Sequence, residues 1–282
     1  MIGRFLRTTS LLLVTALFLA GCGQEHKEGV GMSARGLTEL AEVGPDLETL
    51  PVPPDYVSGA IVATGGLQEW AKTRKLELDG VVTLYQGDGS VYLTEQRYQL
   101  YLWSNSIRVS AVEPQGEFVC ELSQDGFRVL AGVKVVDALS AQVSERDLAD
   151  AILTITTASI RFLDRSAKFT KASGPVKMQG LWYYPVERDY VVERRTAASD
   201  RREDVEHPEP YWSKVVFYQN RDNALVDMLW FADVEEGKFF VVRGYDYSRV
   251  QKMGVLLPTK IEIFRTDARG ALSERVARVN FE

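Results

Sequence analysis

Two cysteines, two histidines and no long apolar span set the first limits on this sequence of 282 residues. With only Cys22 and Cys120, a disulfide framework is excluded and a fold of this size must rely on its apolar core. His26 and His207 both lie in polar, charged surroundings, so neither imidazole can be set opposite a buried nucleophile. No Gly-x-Ser-x-Gly, HExxH, paired-cysteine or P-loop spacing occurs. Among 39 acidic residues no two stand out as an acid and base pair. The chain therefore reads as a non-enzyme with no catalytic residues, no metal ligands and no cofactor. Basic residues are outnumbered, 33 to 39, which argues against a nucleic-acid partner and against a broad footprint on anionic lipid.

What is present begins at the N-terminus. Arg4 and Arg7 precede an apolar run from Leu11 to Ala20. About ten apolar residues make a signal-peptide core, whereas a membrane span needs about twenty. Leu19, Ala20, Gly21 and Cys22 then resemble the lipobox of bacterial lipoproteins, in which signal peptidase cuts before a cysteine that carries a diacylglycerol and a further acyl chain such as palmitate. An ordinary secretory signal with an incidental cysteine is the alternative. The expected organisation is a signal peptide over 1–21, a lipidated Cys22 with a flexible tether over 22–54, and a folded domain over 55–282. The tether reading rests on a weak apolar pattern that ends in Pro51-Val52-Pro53-Pro54. Gly23 stands where an inner-membrane retention Asp would be, so the expected address is the outer membrane, facing the periplasm. Lipidation would consume Cys22. Cys120 alternates with Phe118 and Leu122 and reads as a buried thiol.

Asp55 can cap a helix in which Val57, Ala60, Ile61, Thr64, Leu67 and Ala71 recur at helical spacing, interrupted by Gly65-Gly66. Alternating runs over Leu76–Leu84, Val91–Trp103, Ile107–Ala111, Phe118–Leu122 and Phe127–Ala131, joined by tight turns, predict an antiparallel meander. The period then changes. Ser144 and Asp147 form a weakened capping box for a helix over about Glu145 to Asp164, with Leu148, Ile152, Ile155 and Phe162 on one stripe. Strand patterns resume at Gln179 and continue to Phe281, broken by a charged stretch from Glu193 to Pro210 that reads as a solvated excursion or a partner-docking loop.

The expected fold class is α+β: a large antiparallel sheet of about ten to eleven strands, curved into an incomplete or half β-barrel that covers two helices. Such a sheet leaves a concave face too broad for its own side chains to fill, so the helices must occupy it. Gly66-Leu67-Gln68-Glu69-Trp70 before Leu76–Tyr85, the run Tyr101–Val109, Gly244-Tyr245-Asp246-Tyr247 and Gly254–Ile261 resemble the outer-membrane lipoprotein carrier superfamily, whose members include LolA, LolB, RseB and LppX. That resemblance implies an apolar cavity under the half-barrel that holds acyl chains. The candidate lining residues are Leu84, Tyr98, Leu100, Leu102, Phe118, Leu148, Ile152, Ile155, Phe162 and Trp230. The expected partners are the membrane, through Cys22, a lipid or acyl-chain ligand, and an envelope protein. The expected role is binding or transfer of a lipid, acyl chain or lipoprotein. The alternative is a structural or sensory interaction module with the same fold and a filled core.

Overall fold

The computed structural model describes residues 55–113, 116–132, 142–164, 167–190, 212–251 and 253–282. The segments read as a signal peptide over 1–21 and as a lipidated Cys22 with a tether over 22–54, and the charged stretch Glu193–Pro210, lie outside the described residues. Four short helices precede or interrupt a run of strands: α1 (Asp55–Ala63), α2 (Leu67–Lys72), α3 (Glu145–Thr156) and α4 (Ala158–Arg161). The strands are β1 (Lys75–Tyr85), β2 (Val91–Tyr101), β3 (Ser106–Glu113), β4 (Gly116–Ser123), β5 (Gly126–Ala131), β6 (Ala167–Lys171), β7 (Val176–Met178), β8 (Leu181–Tyr190), β9 (Lys214–Asn220), β10 (Val226–Asp233), β11 (Lys238–Arg249), β12 (Leu256–Thr266) and β13 (Leu272–Phe281).

All thirteen belong to one antiparallel sheet with the spatial order β5-β4-β3-β2-β1-β13-β12-β11-β10-β9-β8-β6, and β7 also pairs with β8. Two meanders are thus joined where β1 meets β13, with Val82 opposite Val279. The sheet is curved and open, as expected. It holds more strands than the ten to eleven read from sequence. The additions include β6 and β7, short and lysine-bearing, which pair only along β8 and so lack the two-sided pattern that marks an inner strand.

The N-terminal helix pattern is split at Gly65 and Gly66, both with positive φ. A Cβ on Gly65 would lie 2.7 Å from the Gly254 carbonyl oxygen, so the same glycines end α1 and let β12's approach pass beneath it. Thr64 seals the corner: its carbonyl accepts from the Leu256 N–H at 3.0 Å and its hydroxyl accepts from Trp70 Nε1 at 3.0 Å. The central helix begins as read, with a full capping box: Ser144 Oγ accepts from the Asp147 N–H, and Asp147 Oδ2 accepts from the Ser144 N–H. It breaks at Thr157 rather than running to Asp164. Thr156 and Thr157 both turn their hydroxyls onto carbonyls one turn back, which competes with regular continuation of the helix.

The helices lie in the concave face of the sheet. One apolar cluster runs from Val57 and Trp70 through Leu76, Tyr98, Ile107 and Phe118 to Ile152, Phe217, Val242 and Val279. No helix among the described residues is long and apolar enough to cross a membrane.

Candidate functional site

Strand parity decides which side chains face the helices. On β1 these are Leu76, Val82 and Leu84; on β2, Thr94, Gln96, Tyr98 and Leu100. Register carries the same row outward, Tyr98 opposite Val109 and Val109 opposite Cys120. Nine of the ten candidate lining residues come together in this way: Leu84, Tyr98, Leu100, Leu102, Phe118, Leu148, Ile152, Ile155 and Phe162 all belong to the one concave cluster. Each is at most 6% exposed, so the inserted helices fill the space they were expected to line. The Cys120 thiol is buried in the same row.

Trp230 is the correction. Leu229 and Phe231 face the helices, so Trp230 between them points to the opposite, convex face, where it stacks on Phe239 with ring planes 5° apart. It packs with Tyr183, Met228 and Val241. The other tryptophans divide similarly. Trp70 and Trp212 are buried beneath the sheet, Trp103 packs against the rim of the core, and Trp182 is exposed.

Helix α3 is strung across the concave face between polar ties, with hydrocarbon between them. At its start the buried Asp147 carboxylate meets Lys238 Nζ of β11 at 2.7 Å. About one turn further along the same side, Asp150 Oδ2 accepts from Trp212 Nε1 at 2.6 Å and Oδ1 accepts from the Thr154 hydroxyl at 3.1 Å. Burial raises the Asp150 carboxyl above its ordinary value, outweighing the attraction of Arg188 and the bonds from Trp212 and Thr154. At the far end, Ser159 of α4 lies 2.8 Å from the Thr64 hydroxyl, and Arg161 reaches the Leu102 carbonyl at 3.4 Å. Between these ties Ile152, Leu153 and Ile155 contribute only apolar packing.

One element of the concave face escaped the apolar reading. Thr94, Gln96 and Tyr98 place three polar groups in succession on the inner side of β2. The Tyr98 hydroxyl donates to Gln96 Oε1 at 2.7 Å, while Gln96 Nε2 has no partner among the described residues. Burial, with the nearby Glu145 charge and the Cys120 thiol, pushes the Tyr98 hydroxyl well up. The signal in the sequence is polar residues at alternate positions of a strand whose intervening residues are also polar.

A groove of about 510 Å³ lies elsewhere, lined by Asp79, Val81, Glu95, Arg97, Val112 and Glu117 among others, none of them a candidate lining residue. Among the described residues no group of three or more His, Cys, Asp or Glu side chains is placed to hold a metal ion.

The open, curved antiparallel sheet is thus an incomplete barrel with a helical insertion in its hollow. The chain is similar in structure to a LolA superfamily protein from Nitrosomonas europaea, with a TM-score of 0.50, 15% identity, and 82% of this chain covering 92% of that one. A DUF1329 family protein from Desulfovibrio piger (TM-score 0.42, 10% identity, 80% of this chain and 90% of that one) also aligns. So does an outer membrane lipoprotein-sorting protein domain from Vibrio parahaemolyticus (TM-score 0.43, 8% identity, 76% and 87%). No family model and no curated protein sequence matches the chain.

Proposed function

We propose that the chain is an outer-membrane lipoprotein of the periplasmic side, held by an acylated Cys22, whose half-barrel binds an acyl chain or similar lipid between its concave face and α3. The observation that carries this reading is the manner in which α3 is held: polar ties through Asp147 and Asp150 in its first half, ties through Ser159 and Arg161 of α4 beyond its end, and the buried hydrocarbon of Ile152, Leu153 and Ile155 between them. An acyl chain can replace Ile152, Leu153 and Ile155 against the sheet like for like, since each buried methylene contributes about 0.8 kcal/mol whichever molecule supplies it. Binding is then reversible burial accompanied by displacement of the helix, and no covalent step is required. Transfer of lipid or of a lipoprotein would follow from the same displacement.

The test is native mass spectrometry of the chain without residues 1–21 and carrying Cys22→Ser, purified without detergent, so that the only lipid that can travel with it is a bound one. A co-purified mass removed by organic extraction is the expected result. An apo mass with no uptake of a fluorescent fatty acid overturns the reading. Ile155→Asp, checked for folding by circular dichroism, should lose fatty-acid uptake at least tenfold, and Ile155→Leu should keep it.

The second reading is an envelope interaction module with a filled core. The close packing of the nine concave residues favours it. An apo mass together with loss of a bound envelope protein on deleting residues 194–206 would select it.

A further inference from the structure

Strands β7 and β8 are joined by a two-residue turn, Gln179 and Gly180, with φ of 50° and 87°. Positive φ at both positions is what the tightest hairpin requires, and Met178 pairs directly with Leu181 across it. Arg243 donates to Gln179 Oε1, which fastens the turn to the outer face of the sheet. The tip is therefore stiff, yet it presents apolar side chains to solvent: Leu181 and Val176 are each 38% exposed and Trp182 is 41% exposed, the one exposed tryptophan of the five. Lys177 Nζ lies 5.9 Å from the Trp182 ring.

The same edge receives the chain from the N-terminal side. Tyr184, two residues beyond Trp182, lies under Lys171 Nζ at 4.1 Å, and that ammonium is 5.2 Å from the ring of Tyr56. Tyr56 is the second residue of α1, and its carbonyl accepts from Gln219 Nε2 at 2.7 Å. Residues 22–54, read as the tether, join the domain at Asp55, beside this hairpin.

We propose that the β7–β8 hairpin and the start of α1 form an aromatic and basic edge that rests in the headgroup layer of the phospholipid membrane to which the chain is tied. The proposal rests on acylation of Cys22 and is independent of any ligand under the sheet. Tryptophan and tyrosine rings with one polar end, flanked by lysines whose stems are apolar and whose ammonium groups stay wet, suit the boundary between headgroups and acyl chains. The exposed apolar patch is a few side chains, far short of the roughly 800 Å² per partner of a stable protein interface. A domain tied to the surface through Cys22 needs no more, because the tie makes even a weak contact effectively intramolecular.

The test reconstitutes the full lipidated chain into vesicles of phosphatidylethanolamine and phosphatidylglycerol that contain lipid brominated near the headgroup. Flotation with the vesicles reports the anchor, and quenching of tryptophan emission reports the face. The expected result is quenching that falls by at least half in Trp182→Phe and is unchanged in Trp103→Phe, with Lys177→Glu weakening it. Floated wild-type chain without quenching, or floated Trp182→Phe quenched as wild type, overturns the proposal. Emission from Trp182 that follows protein density and not the quencher also overturns it, by making a second copy the occupant. A chain that fails to float sinks the anchor and this edge with it, leaving the fatty-acid measurement untouched.

Discussion

The outer faces of the two halves of the sheet are built on different rules. On β2, exposed Leu93, Glu95 and Arg97 alternate with buried Thr94, Gln96 and Tyr98, so one face is core and the other is water. On β9 and β10 burial is nearly continuous, on β11 it is unbroken from Phe240 to Gly244, and Tyr183, Met228 and Val241 form a second cluster on the convex side. That side also buries polar groups. Asn220 donates to Asp227 Oδ2 at 3.1 Å, Arg243 to the Tyr183 hydroxyl at 3.3 Å, and Glu262 gathers Arg275, Arg278 and Lys260. The half-barrel is therefore one layer thick on its first half and sheathed on both sides over its second. A sheet buried on both faces should be the stiffer platform, whereas among the described residues the β1–β5 side is covered by the helices alone.

The largest test of that contrast is Met228→Ala, which empties a convex-side position and should cost about 3 kcal/mol in chemical denaturation. Leu93→Ala, convex but 63% exposed on the first half, should stay within about 0.5 kcal/mol. Equal costs would erase the distinction. Next is Glu262→Gln, expected to cost about 2 kcal/mol at neutral pH, since it leaves a buried position with three cations and no anion. Burial alone would raise this carboxyl, but bonds from Arg278 and Arg275 prevail and hold it below its ordinary value. Its contribution is thus present above the unfolded carboxyl's range and is lost as pH falls through the depressed folded value. Wild type and variant should converge in acid. The first-half counterpart, Asp79→Asn, breaks the Arg97 pair with both side chains about 60% exposed and should leave the denaturation midpoint unchanged.

The smallest effect belongs to the concave side. Asp150 is raised where Glu262 is lowered, so its contribution is complete below the unfolded value and fades as pH rises through the raised folded one. Asp150→Asn, which keeps an acceptor for Trp212, should be nearly neutral near pH 7 and fall behind wild type as the pH drops toward about 4. A parallel pH profile for the two carboxylates would show that the two faces share one electrostatic environment.

The first meander and the start of α3 were legible because alternation and capping are local signals: Leu76 to Leu84, Asp125-Gly126 and Ser144-x-x-Asp147 all stand where their patterns place them. The strands of the second half were legible as strands, but not as two-faced ones. A residue such as Trp230 is apolar on either side of the sheet, and only its neighbours' parity assigns it to the convex face. The break at Thr157 was hidden because the stripe of Ile152, Ile155 and Phe162 continues past it, and hydroxyls turned onto carbonyls leave no mark in an apolar pattern. Gln96 was overlooked for the complementary reason, being polar in a position that hydrophobic periodicity discards.

The corner at Thr64 has a mechanical meaning. It touches α1, Trp70 of α2, Ser159 of α4 and the backbone of β12 within one residue. Any pull that arrives along the chain from the N-terminal side enters through α1. It meets at this residue both the rigid sheet, through Leu256, and the helical insertion, through Ser159. Tension that enters through α1 is thereby divided between frame and filling at a single hydroxyl and a single carbonyl, so a force applied from the N-terminal side is felt by the helices that occupy the hollow of the sheet.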